Sequence, residues 1–344
     1  MIPLLIRCEA TPALGTGHAM RGLALAQEWS RRGGLAVFAM SEIEPAVSAR
    51  LMNSGARVTA LRSVAGSAQD AQETAGLART LGSSWVVVDG PMFGGDWDCA
   101  WSGEPRLLRI DDNGLAGPFR ADILLNQNLG ATAEDYPAKG GSCRLLFGPD
   151  YALLRPEFSR MGTVENVPAC SGRIIVTLGG SDPACATERV LEALRQPSAQ
   201  GLAADFIIGA ANPRRDTLMA AIAVLAPRLQ AVIAPADLAE RFARADFAVT
   251  AGGTTLYELA LLQTPMLVLC TAENQRRTCE QFAAAGAVQF AGWHADIGPE
   301  VLAEMIVALA GNAARCTELA ERAACLVDGH GAARVVDAMT GGAV

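Results

Sequence analysis

Nowhere in these 344 residues is there a run approaching the roughly 18 to 20 uninterrupted apolar residues that a bilayer-spanning helix requires. This is so although 51% of the residues are hydrophobic and the mean hydropathy is +0.23. The longest candidate, Leu259 to Cys270, is broken by Gln263, Thr264 and Pro265, so no membrane insertion is expected. Positive charge is also scarce: 28 Lys and Arg against 36 Asp and Glu leave a net charge of −8. The basic footprint of a nucleic-acid binder is therefore missing, and any bound phosphate must be held locally. The nine cysteines form no C-x-x-C pair and no metal-ligand spacing, and are expected to be free buried thiols with no metal site. Met1 to Arg7 enter a strand pattern at once, without the charged and apolar regions of a signal peptide. A cytoplasmic location, where thiols stay reduced, is the corresponding expectation. Absence of a Walker A lysine loop, of H-E-x-x-H and of G-x-S-x-G removes support for P-loop kinases, zincins and α/β-hydrolases.

The hydrophobicity lies instead in many short runs, which is how buried parallel strands read. In the first half they fall at Leu4 to Ile6, Leu35 to Met40, Val58 to Leu61, Trp85 to Val88, Leu107 to Ile110 and Ile123 to Leu125. Helical spacing occupies Ala19 to Arg31, Pro45 to Asn53 and Ala68 to Leu81, and strands separated by helices imply a mostly parallel sheet. Pro and Gly punctuation from Pro149 to Gly172 marks a linker. The alternation restarts with strands at Ile174 to Leu178, Phe206 to Ile208, Val232 to Ile233, Phe247 to Thr250, Met266 to Leu269 and Val288 to Phe290. Helices over Pro299 to Ala310 and Ala313 to Val327 follow. The reading is an α/β chain of two Rossmann-like domains: residues 1–155 and 173–330, joined by a linker over 156–172, with a C-terminal helix and tail over 331–344. Ligands in such sheets bind beyond the carboxyl ends of the strands, and the expected site is a cleft between two facing sheets.

Three strand-to-helix turns carry candidate chemistry. In Gly15-Thr16-Gly17-His18-Ala19-Met20-Arg21 the glycines allow a tight turn and close backbone approach, and the following helix start offers free N–H groups. A dinucleotide fingerprint would need a third glycine where Met20 stands. His18 is one of only three histidines, and at a helix mouth a half-buried imidazole is expected to be neutral and available as a general base; a local cap or packing role is the alternative. Arg21 is either a partner for phosphate or carboxylate, or a solvated charge on the helix. Gly179-Gly180-Ser181-Asp182-Pro183 forms a second such turn, tolerant of phosphate or purely structural. In the third, Gly252-Gly253-Thr254-Thr255-Leu256-Tyr257-Glu258, backbone N–H groups and two hydroxyls suit a diphosphate. Glu258, one turn on, suits a ribose diol; a capped helix with a dipole-favoured Glu is the alternative. Asn274 and Gln275 add amides to the same rim. Asp111-Asp112 could bind a metal or sugar hydroxyls, or be a cap and its solvated neighbour, and His294 and His330 read most simply as surface residues.

Together these residues resemble the UDP-sugar hydrolase family of pseudaminic acid biosynthesis. Arg7 through Ala26 is similar to that family's opening pattern, G-x-G-H-x-x-R-x-x-x-L-A. Ile110-Asp111-Asp112, Leu125-Asn126-Gln127-Asn128, the segment Gly148 to Phe158, Gly179 to Pro183, Gly252 to Glu258, Asn274-Gln275 and Asp328 to Ala332 follow in the family's order. The resemblance implies a GT-B-like fold and hydrolysis of a UDP-linked 2,4-diacetamido-2,4,6-trideoxy sugar to UDP and free sugar. It also implies a sugar-facing N-terminal domain, a UDP-holding C-terminal domain and no cofactor. His18 matches the residue that activates water, Gly179, Gly180, Ser181 and Gly252 to Thr255 the diphosphate contacts, Glu258 the ribose contact, and Asn274 a residue near sugar or phosphates. Two departures fall on the sugar side: Asp89-Gly90-Pro91 stands where the family has an acidic-x-aromatic pattern, and Cys8-Glu9 where Ala-Asp is typical. Gly15, Gly17, Arg21, Asp89 and Gln275 complete the expected substrate-binding set. The expected partner is a UDP-amino sugar; the sequence names no protein partner. A glycosyltransferase on the same fold and a non-catalytic sugar-nucleotide-binding protein are the competing readings.

Overall fold

The computed structural model describes residues 2–11, 14–114, 118–137, 143–161, 173–210 and 212–341. The chain divides into two compact units, Met1–Pro156 with Gly329–Val344, and Glu157–Asp328. Most of the expected linker over 156–172, and Cys170 within it, lies outside the described residues.

The first unit holds β1 (Pro3–Cys8), α1 (Gly17–Arg31), β2 (Leu35–Met40), α2 (Pro45–Asn53), β3 (Arg57–Ala60), α3 (Ala68–Leu81), β4 (Trp85–Asp89), α4 (Asp96–Ala100), β5 (Arg106–Ile110), β6 (Ile123–Asn126) and β7 (Arg144–Phe147). Its helix ends follow local chemistry. Glu44 accepts from the Val47 N–H ahead of α2, Ser67 accepts from the Asp70 N–H ahead of α3, and Gly82 ends α3 in the left-handed conformation. The seven strands run in the order β3-β2-β1-β4-β5-β6-β7, all parallel. Chain direction across the sheet reverses between β1 and β4, whose last residues Cys8 and Asp89 are paired in register. That reversal opens a crevice at the carboxyl ends of the two strands. One face packs Leu4, Ile6, Phe38 and Val87 against α1, and the other packs Leu5, Val37, Val86 and Val88 against Trp97 and Trp101.

The second unit, entered through α5 (Pro156–Ser159), holds β8 (Arg173–Thr177), α6 (Ala186–Arg195), β9 (Ala203–Ile208), α7 (Arg215–Ala223), β10 (Leu229–Ile233), α8 (Leu238–Arg244), β11 (Phe247–Ala251), α9 (Thr255–Leu261), β12 (Met266–Cys270), α10 (Arg276–Ala284), β13 (Gln289–Trp293), α11 (Pro299–Ala310) and α12 (Ala313–Ala324). Its six parallel strands are ordered β10-β9-β8-β11-β12-β13, so the reversal here lies between β8 and β11. Ile174, Val176, Phe206, Val249 and Leu267 form one core face. Tyr257 and Phe282 meet edge to face at 5.3 Å, and Phe158 lies 6.0 Å from Phe242.

The last helix, α13 (Gly331–Thr340), lies where a C-terminal helix is expected and belongs to the first unit. Val335, Val336 and Met339 join the core face beneath α1, the Trp85 indole N–H donates to the Met339 carbonyl at 2.9 Å, and Arg32 pairs with Asp337. Gly331 must be glycine, because a Cβ there would lie 2.3 Å from the Ala152 carbonyl oxygen. Two expectations need correction. Strand β7 was not anticipated, and three thiols expected to be buried, Cys99, Cys185 and Cys325, are exposed. All three sit within or at the end of a helix, where one side of the backbone faces water.

Candidate functional site

In the first unit the crevice residues converge on Arg21. The loop after β1 turns at Gly15, whose φ is 77° and whose N–H donates to the Thr11 carbonyl at 2.8 Å, and then enters α1 at Gly17. No side chain caps that helix start, so its first N–H groups have no side-chain acceptor. Gly22 supplies the close helix-to-sheet approach for which a dinucleotide fingerprint uses its third glycine: a Cβ there would sit 3.1 Å from Phe38 Cε1 and 3.2 Å from Ile6 Cγ2. His18 therefore stands one residue into α1, over the end of β4. Its Nε2 lies 4.0 Å from Asp89 Oδ1, and its Nδ1 is buried with no hydrogen-bond partner.

Arg21 is neither a solvated charge nor a free ligand for phosphate. Its Nε and Nη2 donate to the two oxygens of Asp89 at 2.6 and 2.5 Å, and its Nη1 donates to Asp112 Oδ1 at 2.8 Å. Burial alone would lower the guanidinium pKa, but the charges of Asp112 and Asp89 raise it well above the ordinary value, so Arg21 stays charged. Burial pushes Asp112 up, yet Arg21 outweighs it and holds this carboxyl below the usual range. Asn128 Nδ2 donates to the same Asp112 oxygen at 3.0 Å. Asp111 Oδ2 accepts the Asn113 and Gly114 N–H groups and, at 2.8 Å, the Tyr136 hydroxyl, which in turn accepts from Asn126 Nδ2. Neither aspartate is thus the solvated neighbour weighed from sequence. Asp112 and Asn128, outside the expected site set, are joined to His18's surroundings because they follow β5 and β6 at the same edge.

The unusual Cys8-Glu9 pair is structural. Glu9 accepts from the Ser41 and Glu42 N–H groups at 2.8 and 3.2 Å and from Arg7 Nη1 at 2.6 Å, which ties the β1 and β2 loops together. Arg7 is fully buried and also donates to both oxygens of Asp70.

In the second unit, the turn after β8 places Gly179 at φ 99° and buries Ser181 and Asp182. Asp182 accepts from the Ala186 and Thr187 N–H groups at 3.0 and 2.9 Å, so the start of α6 is closed by the protein's own carboxylate. Arg214 braces this turn by donating to the Asp182 carbonyl at 2.6 Å. Gly209 presses against it so closely that a Cβ there would lie 1.9 Å from the Gly180 carbonyl oxygen.

The turn after β11 is different: no side chain caps α9, and Gly253, Thr254 and Thr255 are only partly buried. Glu258 is buried within the helix's first turn. Gln275, expected to meet substrate, is half-buried, and its Oε1 accepts from the Gly252 N–H at 3.2 Å and from the Thr271 N–H and hydroxyl. It fastens the β11 and β12 loops together. Asn274 beside it is exposed. Of the remaining histidines, His330 is exposed, whereas His294 follows β13 with Nδ1 buried and unpartnered, and burial with nearby Arg189 pushes its pKa down.

Two parallel sheets, each with an uncapped glycine-rich turn at its reversal point, invite comparison with known proteins. MurG of Acinetobacter baumannii superposes with a TM-score of 0.65 at 16% identity, over 99% of this chain and 100% of that one. The UDP co-structure of S. aureus MnaA gives 0.65 at 12% identity, over 99% and 96%. Anabaena Alr3699/HepE in complex with UDP and glucose gives 0.62 at 13%, over 99% and 100%. The fold is GT-B. Identities this low speak for the fold alone. In sequence, the chain is 31% identical over 224 residues to the spore coat polysaccharide biosynthesis protein SpsG of Bacillus subtilis (strain 168), a match spanning 65% of this chain and 62% of that relative's length. No protein-family profile matches the chain. Among the described residues no helix is long and apolar enough to cross a membrane, and no cluster of three His, Cys, Asp or Glu side chains is placed to hold a metal ion.

Proposed function

We propose that this chain is an enzyme acting on a nucleotide-linked sugar, and that it hydrolyses a UDP-linked amino sugar at the anomeric carbon. The observation that carries this reading is His18: a half-buried imidazole at the reversal point of the first sheet, with one nitrogen toward Asp89 and the other unpartnered. A base in that position removes the proton of a water as its oxygen attacks the anomeric carbon. The bond between that carbon and the diphosphate oxygen breaks, and its electron pair leaves with UDP. Developing charge on the leaving group is met by backbone N–H groups and hydroxyls at the uncapped Gly253 to Thr255 turn, with Glu258 toward the ribose. Direct displacement inverts the anomeric centre. The resemblance to the pseudaminic acid hydrolases narrows the sugar to a diacetamido trideoxy hexose.

The relative's place in spore coat polysaccharide biosynthesis and the UDP complexes of two structural neighbours support sugar-nucleotide chemistry. They favour equally a second reading, transfer to an acceptor hydroxyl activated by the same His18. Turnover in oxygen-18 water separates the two. Label in the released sugar without any acceptor supports hydrolysis, an absolute need for an acceptor supports transfer, and label in UDP would place the attack at phosphorus and remove His18 from its role. UDP binding with no turnover of any UDP-sugar, alone or with acceptors, would leave a binding protein.

A further inference from the structure

Asp89 ends β4 fully buried, and one guanidinium takes both of its oxygens: Arg21 Nε donates to Oδ2 at 2.6 Å and Nη2 to Oδ1 at 2.5 Å. That guanidinium is fixed from a second side, since its Nη1 donates to Asp112 Oδ1, which also accepts from Asn128 Nδ2. The end of β4 and the turns after β5 and β6 therefore hold this one side chain still. Asp89 Oδ1 also faces His18 Nε2, but at 4.0 Å, beyond a direct hydrogen bond. The other ring nitrogen, Nδ1, is buried, so Nε2 is the one that can meet a water. Among the described residues, the charges acting on this ring are those of Asp89 from β4, Asp112 from the turn after β5, and Arg21 one turn along α1. Cys8, paired with Asp89 at the end of β1, adds none, because burial pushes its thiol far up.

We infer that Arg21 is a positioning residue for His18: its two-pronged hold on Asp89 keeps that carboxylate from closing on the imidazole, and so leaves Nε2 free to take a proton. The inference rests on the reading of His18 as the base and supplies what keeps that base available. A carboxylate released from its counter-ion beside an imidazole favours the protonated ring, and a ring already protonated cannot accept the proton of an attacking water. Arginine suits this task because its planar fork donates two parallel N–H groups to one carboxylate and has a third edge left for Asp112; an ammonium is a point charge without that geometry. Once Nε2 has taken the proton, the same fixed carboxylate, 4.0 Å away, attracts the imidazolium.

Titration of the His18 ring by NMR tests this without any turnover. His18→Ala, which removes one of only three histidine signals, makes the assignment. In Arg21→Gln the His18 titration is expected to move up by about one pH unit or more. Adding Asp89→Asn should reverse most of that rise, a result that loosened packing alone does not produce. Arg21→Lys keeps the charge and loses the fork, so it should give a smaller rise in the same direction; it also serves if Arg21→Gln fails to fold. In turnover of a UDP-sugar, the acid limb of the kcat profile should move by the same amount as the ring titration. An unmoved titration in Arg21→Lys, or a rise in Arg21→Gln that persists without the Asp89 carboxylate, would overturn the inference. Failure of the unaltered protein to turn over any UDP-sugar would instead overturn the enzymatic reading beneath it and leave the ring titrations to be judged on their own.

Discussion

Replacing Gly252 with Ala tests the link between packing and the nucleotide binding proposed for the turn after β11. The added Cβ would lie 2.2 Å from Cys279 Sγ and 3.0 Å from Gln275 Cβ. Ordinary contact is at about 3.5–4.0 Å, so roughly 1.5 Å of separation must be found. Cys279 is fully buried on α10, whose Thr278 and Phe282 are buried too, so its sulfur has no solvent to swing into. The strain passes to the turn itself and to the Gly252 N–H bond with Gln275. Overpacking of this kind costs about 1–3 kcal/mol, which for a domain of this size lowers the unfolding midpoint by roughly 2–12 °C. Because Gly253 to Thr255 follow directly, a tilt of the turn should weaken UDP binding by about tenfold, read by calorimetry on the folded variant. Adding Cys279→Ala removes the opposing sulfur and should restore at least half of both losses in a double-mutant cycle. An unchanged midpoint in Gly252→Ala, or a double variant no better than the single one, would refute the steric argument.

His18→Ala should lower turnover by about 10²–10⁴-fold while UDP affinity stays within a factor of about two, checked by product release and calorimetry. Arg21→Met leaves the carboxylates of Asp89 and Asp112 buried without their counter-ion and should cost about 3–5 kcal/mol in denaturant unfolding. The same pair gives a pH signature. Asp112 titrates below its ordinary value in the folded protein, so its contribution is complete above the usual carboxylate range and is lost as pH falls through the depressed value. Asp112→Asn should flatten that acid limb of the stability profile. Asp182→Ala removes the acceptor for two N–H groups at the start of α6 and should cost about 1–2 kcal/mol, with a greater loss if the Arg214 brace is disturbed.

Much of the architecture was legible because buried parallel strands are short apolar runs and their helices carry local stop signals. The helices over Pro45–Asn53, Ala68–Leu81 and Pro299–Ala310 follow from spacing, caps and Pro placement alone. Strand β7 escaped notice because Arg144–Phe147 offers only four residues, exposed at the first and fully buried at just one. The catalytic candidate His18 was visible as a rare residue at a helix mouth. What its neighbours do was not, because the partner of a charged side chain is set by chain segments far away in sequence. Arg21 meets Asp89 across 68 residues and Asp112 across 91, and Arg7 meets Asp70 across 63. The role of the Gln275 amide oxygen, which holds two loops together, was hidden in the same way. Its position four residues after Thr271 was the one local hint.

Helix α13 closes the first unit from the far end of the chain, and this sets an order of events during synthesis. Val335, Val336 and Met339, with Ala332 and Ala338, complete a core face whose other members lie before residue 155, yet the ribosome makes all of residues 157–328 in between. The usual rule that the N-terminal domain finishes folding first cannot hold here. The second unit, continuous in sequence, can complete its core while the first still waits with the underside of α1 uncovered. A nascent chain stalled before Gly331 would therefore carry a mature second unit and an aggregation-prone first unit, a state in which a chaperone has a defined apolar surface to guard.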